Sequence, residues 1–331
     1  MKKYSIYLCL ALLIGLFSSC SQDNNDALPA DAGNLVSFTA TLPADWAPAT
    51  TTRAVPGPPA NHQLRCILEI WTKDLSALKV RKELLATGTD NLTFTFELGE
   101  MGDYKALLWT DYIDEGANTT TTTIAGLADV AHYPDKYYRT DDVSGLQAVQ
   151  LKAGVEIPGE LRDGFFGATD FTKNALPLKG LSVTLTRPFS KFILSERNID
   201  KINSCESVEV TYTVPKQFNV ANGTHEGEFK NTKVRLTPDR SVIYYPLTDE
   251  DGYIIFSDYI FADTEGTMGE IVLDYFASQA SGLVFKPFTL RSGLPIKRNE
   301  ISKFIGSIMD LELDPSPSVE MEVVIDNNWW E

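Results

Sequence analysis

Cysteine, histidine and basic residues are all scarce in this 331-residue chain, and each shortage excludes something. Of four cysteines, Cys9 and Cys20 fall in the first twenty residues, leaving Cys66 and Cys205 for the rest. A small domain framed by disulfides is therefore out. His62, His132 and His225 are the only histidines, with no two at the spacing of a metal-binding pair and none beside a nucleophile motif. No Gly-x-Ser-x-Gly segment, phosphate loop or Cys-His arrangement is present, so no catalytic residue, metal or cofactor is assigned. With 29 Lys and Arg against 45 Asp and Glu, the net charge of −16 speaks against nucleic acid and against docking on anionic headgroups. Beyond residue 20, no apolar run is long enough to span a bilayer.

What is present begins with Lys2 and Lys3, followed by an apolar run from Tyr4 to Phe17 without an acidic residue. This is the layout of a secretory signal peptide over residues 1–19. Leu16-Phe17-Ser18-Ser19-Cys20 further resembles the lipobox of bacterial lipoproteins, in which the cysteine is lipid-modified and becomes the new N-terminus. The plainer alternative is an ordinary signal peptide, with Cys20 incidental. Residues 20–33 are polar and acidic without periodicity, as a flexible tether would be. Asp23 and Asp26 resemble the acidic signal that sends some lipoproteins to the outer face of the outer membrane.

The next stretch, Leu35 to Leu42, alternates strictly. Val36, Phe38, Ala40 and Leu42 face one way, and Ser37, Thr39 and Thr41 the other. Period two with β-branched and aromatic residues predicts a half-buried strand. Residues 43–59 are rich in Pro, Ala and Thr and contain Arg53-Ala54, which predicts an exposed linker. Further strands are expected at 64–71, 78–86, 92–98 and 104–111. Cys66 then shares a face with Leu64, Leu68 and Ile70 and reads as a small buried thiol.

Residues 114–145 read as irregular, with a short helix near Ile124 to Tyr133, and the Gly- and Asp-rich stretch 155–175 follows. Alternating strands resume at 181–186, 189–195, 207–214, 234–236, 241–247, 253–261, 269–276, 283–290, 300–313 and 319–325. Short strands divided by turn residues, with no βαβ rhythm, predict an all-β chain of antiparallel β-sandwiches. The boundary is expected near Lys179, dividing an N-terminal domain at 34–178 from a C-terminal domain at 179–331. A Cys66–Cys205 disulfide is chemically permitted in an exported protein, though the two cysteines lie in different expected domains.

Several segments together carry a family likeness. They are the lipobox, the acidic tether, a first strand ending Leu42-Pro43, and Thr51-Thr52-Arg53-Ala54. Tyr104, Trp109 and Asp111, Asp163-Gly-Phe-Phe-Gly167, Leu185-Thr-Arg187-Pro-Phe-Ser-Lys191 and Pro295-Ile-Lys-Arg-Asn299 follow, before a last strand and Trp329-Trp330. In this order they resemble the fimbrillin-like lipoproteins of Bacteroidota, the group that includes type V pilus components. The resemblance implies two transthyretin-like antiparallel β-sandwich domains in tandem and a lipid-anchored place on the outer membrane facing outward. It also implies a part in adhesion and fimbrial assembly rather than catalysis.

In type V pilins a protease cuts after an arginine and frees the first strand, and a strand of the next subunit fills the gap by β-augmentation. Carried to this chain, cleavage would fall between Arg53 and Ala54 and free Val36, Phe38, Ala40 and Leu42. The plainer alternative leaves Arg53 a solvated linker residue. Val319, Met321, Val323 and Ile325 form one apolar face of the last strand, able to donate to a neighbour or to close its own domain. Since six residues follow Ile325, an in-place strand is expected, and so an anchor, tip or accessory subunit. Trp329 and Trp330 read as core packing, with a sugar face or a partner as alternatives.

The expected partners are outer-membrane lipid, other fimbrial subunits, and a host protein or glycan. The alternative from another class is a surface glycan-binding lipoprotein of a polysaccharide-uptake system. A glycosidase would need a carboxylate pair, and none distinguishes itself. Asp111 to Glu115 and Asp249 to Gly252 are rich in oxygen ligands but lack a full calcium loop, so solvated turns are expected.

Overall fold

The computed structural model describes residues 32–43, 60–86, 91–152, 161, 163–197, 205–236, 253–277, 288–290, 294–307 and 322–326. The chain opens with β1 (Leu35–Thr41), β2 (His62–Thr72), β3 (Leu78–Leu85), β4 (Asn91–Glu97) and β5 (Gly102–Asp114). Then come β6 (Thr120–Ile124), β7 (Leu127–His132), β8 (Tyr138–Arg139), β9 (Val149–Leu151), β10 (Phe165–Lys173) and β11 (Leu178–Thr184). The second half holds β12 (Phe189–Glu196), β13 (Cys205–Asn219), β14 (Thr224–Leu236), β15 (Tyr253–Phe261), β16 (Thr267–Met268) and β17 (Ile271–Ala277). It ends with β18 (Phe288–Leu290), β19 (Leu294–Pro295), β20 (Ile301–Gly306) and β21 (Glu322–Asp326).

The architecture is all-β, as the alternation predicts. In the first half, the sheet β11-β1-β4 packs against the sheet β10-β5-β2-β3. The second half pairs β15-β12-β20-β21 with β18-β17-β13-β9-β8, and β14 hangs from β13. Most ladders are antiparallel, but β1–β11 and β12–β20 run parallel. The junction expected at residue 179 falls inside β11, which pairs with β1; the chain crosses to the second half's sheets after Leu185. In return, β8 and β9 leave the first half and join β13.

One reading of the sequence needs correction. The short helix expected near Ile124 to Tyr133 is instead the hairpin β6–β7. Its β-branched threonine run suits a strand, and Ala125 and Gly126, at φ of 48° and 82°, supply the left-handed turn a two-residue hairpin requires. The Gly-rich stretch 155–175 contains β10, a full partner of β5. Its glycines mark close approaches: a Cβ on Gly164 would lie 2.4 Å from the Thr110 carbonyl oxygen, and one on Gly167 2.4 Å from Val183 Cγ1.

Candidate functional site

The seat of β1 is built from both its neighbours. β1 lies between β11 and β4, with Phe38 opposite Leu181 on one side and Phe94 on the other. Val36, Phe38, Ala40 and Leu42 are buried against Leu92, Phe94, Phe96 and Leu185, while Ser37, Thr39 and Thr41 stay half-exposed. On the outer face Thr41 Oγ1 donates to Asn91 Oδ1 at 2.8 Å, and the Thr39 and Thr93 hydroxyls meet at 3.3 Å. The entry is clamped by the buried Lys173, whose ammonium donates to the Gly33 carbonyl at 2.6 Å, and by Leu98 N donating to Asn34 O at 2.8 Å. Leu185 N donates to Thr41 O at the exit. Burying these four side chains stabilises the seat by roughly 5–9 kcal/mol, before the two ladders are counted.

The sheet behind β1 holds a second constellation. β2 is buried on both faces. Leu64, Cys66, Leu68 and Ile70 pack on the inner one, as alternation predicts; Arg65, Ile67, Glu69 and Trp71 lie on the other, beneath residues 133–148. Arg65 forks onto Asp111, Nε to Oδ1 at 2.9 Å and Nη2 to Oδ2 at 2.7 Å, and also donates to Asp135 and the Tyr133 carbonyl. Arg81 donates to Glu69, Glu83 and the Thr140 carbonyl. Glu69 also accepts from Trp71 Nε1 and Leu146 N. Glu83 accepts from Tyr133 N and contacts His132 Nδ1 at 2.8 Å.

Burial disfavours the charged form of Arg65, yet Asp111, Asp135 and Glu83 outweigh it and hold its pKa above the ordinary value. Burial pushes the Asp111 carboxyl up against the pull of Arg65. For Glu83 burial also pushes upward, but His132, Arg65 and Arg81 win and bring it down to about 2. The arrangement pins a covering segment to a sheet, each charge meeting its opposite. Asp111 is thus a buried ion-pair partner in β5 and not part of a solvated or calcium-binding turn.

The family-like segments converge elsewhere, at the meeting of the two halves. Trp109 lies edge-on to Tyr138 at 5.3 Å and to Phe189 at 6.2 Å. Phe189 and Phe218 each stack on Phe261, at 4.9 and 5.5 Å. Arg298 sits 5.2 Å over Phe166, and Arg187 sits 4.9 Å over Phe165 while binding Asp163. Each good aromatic pair adds roughly 0.5–1.5 kcal/mol beyond its burial. Cys66 and Cys205 are buried free thiols, one in each core, and burial pushes both pKa values up.

Cys20, Arg53, Ala54, Val319, Met321, Trp329, Trp330 and Asp249 to Gly252 lie outside the described residues. Val323 and Ile325 belong to β21, opposite Phe304 and Ser302 of β20. Sequence reasoning passed over Arg65, Glu69, Arg81 and Glu83. Two arginines and two glutamates alternating with apolar residues on adjacent expected strands are the signal that could have found them.

Fold and site together define an all-β protein of two joined sandwiches with its first described strand inserted centrally. The chain belongs to a family described as a family of unknown function, DUF6562, whose model matches residues 29–331. No curated protein matches it. Among solved structures, a protein proposed to act in cell adhesion from Bacteroides eggerthii is 14% identical with a TM-score of 0.45, covering 90% of this chain and 97% of that one. The tip fimbrial protein Mfa3 from Porphyromonas gingivalis is 9% identical with a TM-score of 0.41, covering 88% and 99%. A fimbrial assembly protein from Parabacteroides distasonis is 14% identical with a TM-score of 0.39, covering 88% and 98%.

Proposed function

We propose that this chain is a fimbrillin-like surface lipoprotein, an anchor, tip or accessory component of fimbriae, whose first strand occupies a groove that strand complementation could fill. The supporting observation is the seat of β1: an N-terminal strand with one whole face buried, hydrogen-bonded on both edges. Removing such a strand leaves an apolar trough with two unpaired ladders, the feature β-augmentation needs. Arg53-Ala54 stands in the sequence between β1 and β2, where a single cut would free β1. The antiparallel pairing of β21 with β20 favours a C-terminal strand kept at home, and so an anchor, tip or accessory subunit over a stalk subunit. In this reading Cys20 carries the lipid that holds the protein to the outer membrane, facing the exterior, with other fimbrial subunits as partners.

The mature N-terminus on cells tests the reading. A blocked, lipid-modified Cys20 is the expected result, whereas a free Ala54 would overturn the retained anchor in favour of a processed stalk subunit. Strand complementation is tested separately, by nicking the purified chain at Arg53 with trypsin and mixing it with fimbrial subunits. If no strand-exchanged complex forms, that part of the proposal fails.

A further inference from the structure

His132 ends β7 with a side chain only 4% exposed. Its Nδ1 lies 2.8 Å from Glu83 Oε1. That oxygen also accepts from Nε and Nη2 of Arg81, as an ion-paired carboxylate does. A carboxylate has no proton to give, so the proton of this contact belongs to Nδ1. In the neutral ring this leaves a lone pair on Nε2. Among the described residues this buried nitrogen has no hydrogen-bond partner.

Nε2 does not face apolar surroundings. Asp135 Oδ1 lies 3.7 Å from it and Asp141 Oδ2 4.0 Å, too far for hydrogen bonds. One ligand atom from each residue falls within 4.8 Å of the others. The Asp135 carboxylate is positioned by Thr140, whose N donates to Oδ2 at 2.5 Å and whose Oγ1 donates to Oδ1 at 2.9 Å. Asp135 Oδ1 is also ion-paired with Arg65 Nη2 at 2.8 Å, while Nε2 itself meets no donor among the described residues, a gap that a cation would fill.

From this geometry we propose that His132, Asp135 and Asp141 bind one divalent transition-metal ion of the zinc class. Zinc takes imidazole nitrogen and carboxylate oxygen at about 2.0–2.2 Å, which sets tetrahedral ligand atoms about 3.4 Å apart. From 3.7 and 4.0 Å, the two distances to Nε2 need contractions of about 0.3 and 0.6 Å, and Asp141, 43% exposed, has room to move. The Glu83–His132 contact is the carboxylate–imidazole–metal relay that fixes tautomer and ring orientation at such sites. An imidazole ligand favours a zinc-like ion over calcium or magnesium, which prefer oxygen alone. Exposure at Asp141 leaves an entry path and a coordination position for water. The ion would lock the end of β7 to the segment covering the outer face of β2.

The test uses the complete mature chain, stripped with a chelator and titrated with zinc chloride by calorimetry, with melting followed in parallel. One zinc per chain and a melting temperature raised by several degrees at saturation are expected. Asp141→Asn leaves the buried ion pairs intact and should weaken binding at least about tenfold. His132→Ala should abolish it, and zinc should shift the one imidazole NMR signal that this variant lacks. No saturable binding would overturn the proposal. So would zinc binding equally well to the two folded variants, or a response to calcium and not to zinc.

Discussion

Both carboxylate oxygens of Asp163 lie 3.0 Å from Nε of Arg187, and both side chains are buried. The pair joins the Asp-Gly-Phe-Phe-Gly segment to the Arg-Pro-Phe segment, so two stretches alike in the family meet as ion-pair partners. Asp163 Oδ1 also accepts from Gly164 N at 2.9 Å, which orients the carboxylate.

Arg187→Ala should therefore cost roughly 3–5 kcal/mol in urea unfolding, because it strands a buried carboxylate. Arg187→Lys should recover only part, since an ammonium offers neither the planar fork nor the stacking on Phe165. Asp163→Leu combined with Arg187→Met should cost less than Arg187→Ala. A double variant worse than the single one would mean that the pair does more than neutralise itself.

Glu83 gives a prediction in pH. Its carboxyl is depressed from 4.5 to about 2 in the folded chain. The stability it adds is present above pH 4.5 and disappears as pH falls through about 2. The advantage of the wild type over Glu83→Gln should be level above that range, on the order of 3 kcal/mol, and shrink steadily below it. Unfolding of both proteins across pH 2–6 checks the sign.

Trp109 is buried at the junction, and its Nε1 has no hydrogen-bond partner among the described residues. Trp109→Phe removes that polar atom along with some volume, and the two effects offset to within about 1 kcal/mol. Trp109→Ala empties the centre of the aromatic cluster and should cost roughly 3–5 kcal/mol. Thermal unfolding separates the two variants.

The seat of β1 is tested by Phe38→Ala. Unfolding should become easier by roughly 3–5 kcal/mol. After limited trypsin cleavage at Arg53, native mass spectrometry should find the freed N-terminal fragment dissociating sooner from the variant than from the wild type. Equal retention would show that the ladders, and not the apolar face, hold the strand.

Gly167→Ala places a methyl 2.4 Å from Val183 Cγ1 and 2.9 Å from Leu185 Cδ2, where stiff β-branched Val183 cannot swing aside. A loss of roughly 1–3 kcal/mol in denaturant unfolding is expected.

The half-buried strands were legible. In β1 and β4 one face meets the core and the other water, so alternation survives in the sequence and gives the buried residues directly. β2 was legible on one face only. Arg65 and Glu69 look like the solvated side of an antiparallel strand until a later segment covers them and supplies Asp135 and Leu146 N. β10 was hidden by glycines needed for close packing, a pattern that also marks loops. The junction could not be read at all: Trp109, Phe189, Phe218 and Phe261 are spread over four strands, and only the tertiary fold brings them together.

The place of β1 also bears on the order in which the molecule assembles. Gly33 and Lys173 are 140 positions apart, and Thr39 and Thr93 are 54 apart. Hairpins such as β2–β3 and β13–β14 close short loops and form early, whereas β1 can pair with β4 first and gains its second ladder only when β11 arrives on its other edge. The first described strand is then fully seated only once β11, far along the chain, has reached it. Stopped-flow refolding should show the signal of a probe on Thr39 lagging behind Trp109 fluorescence.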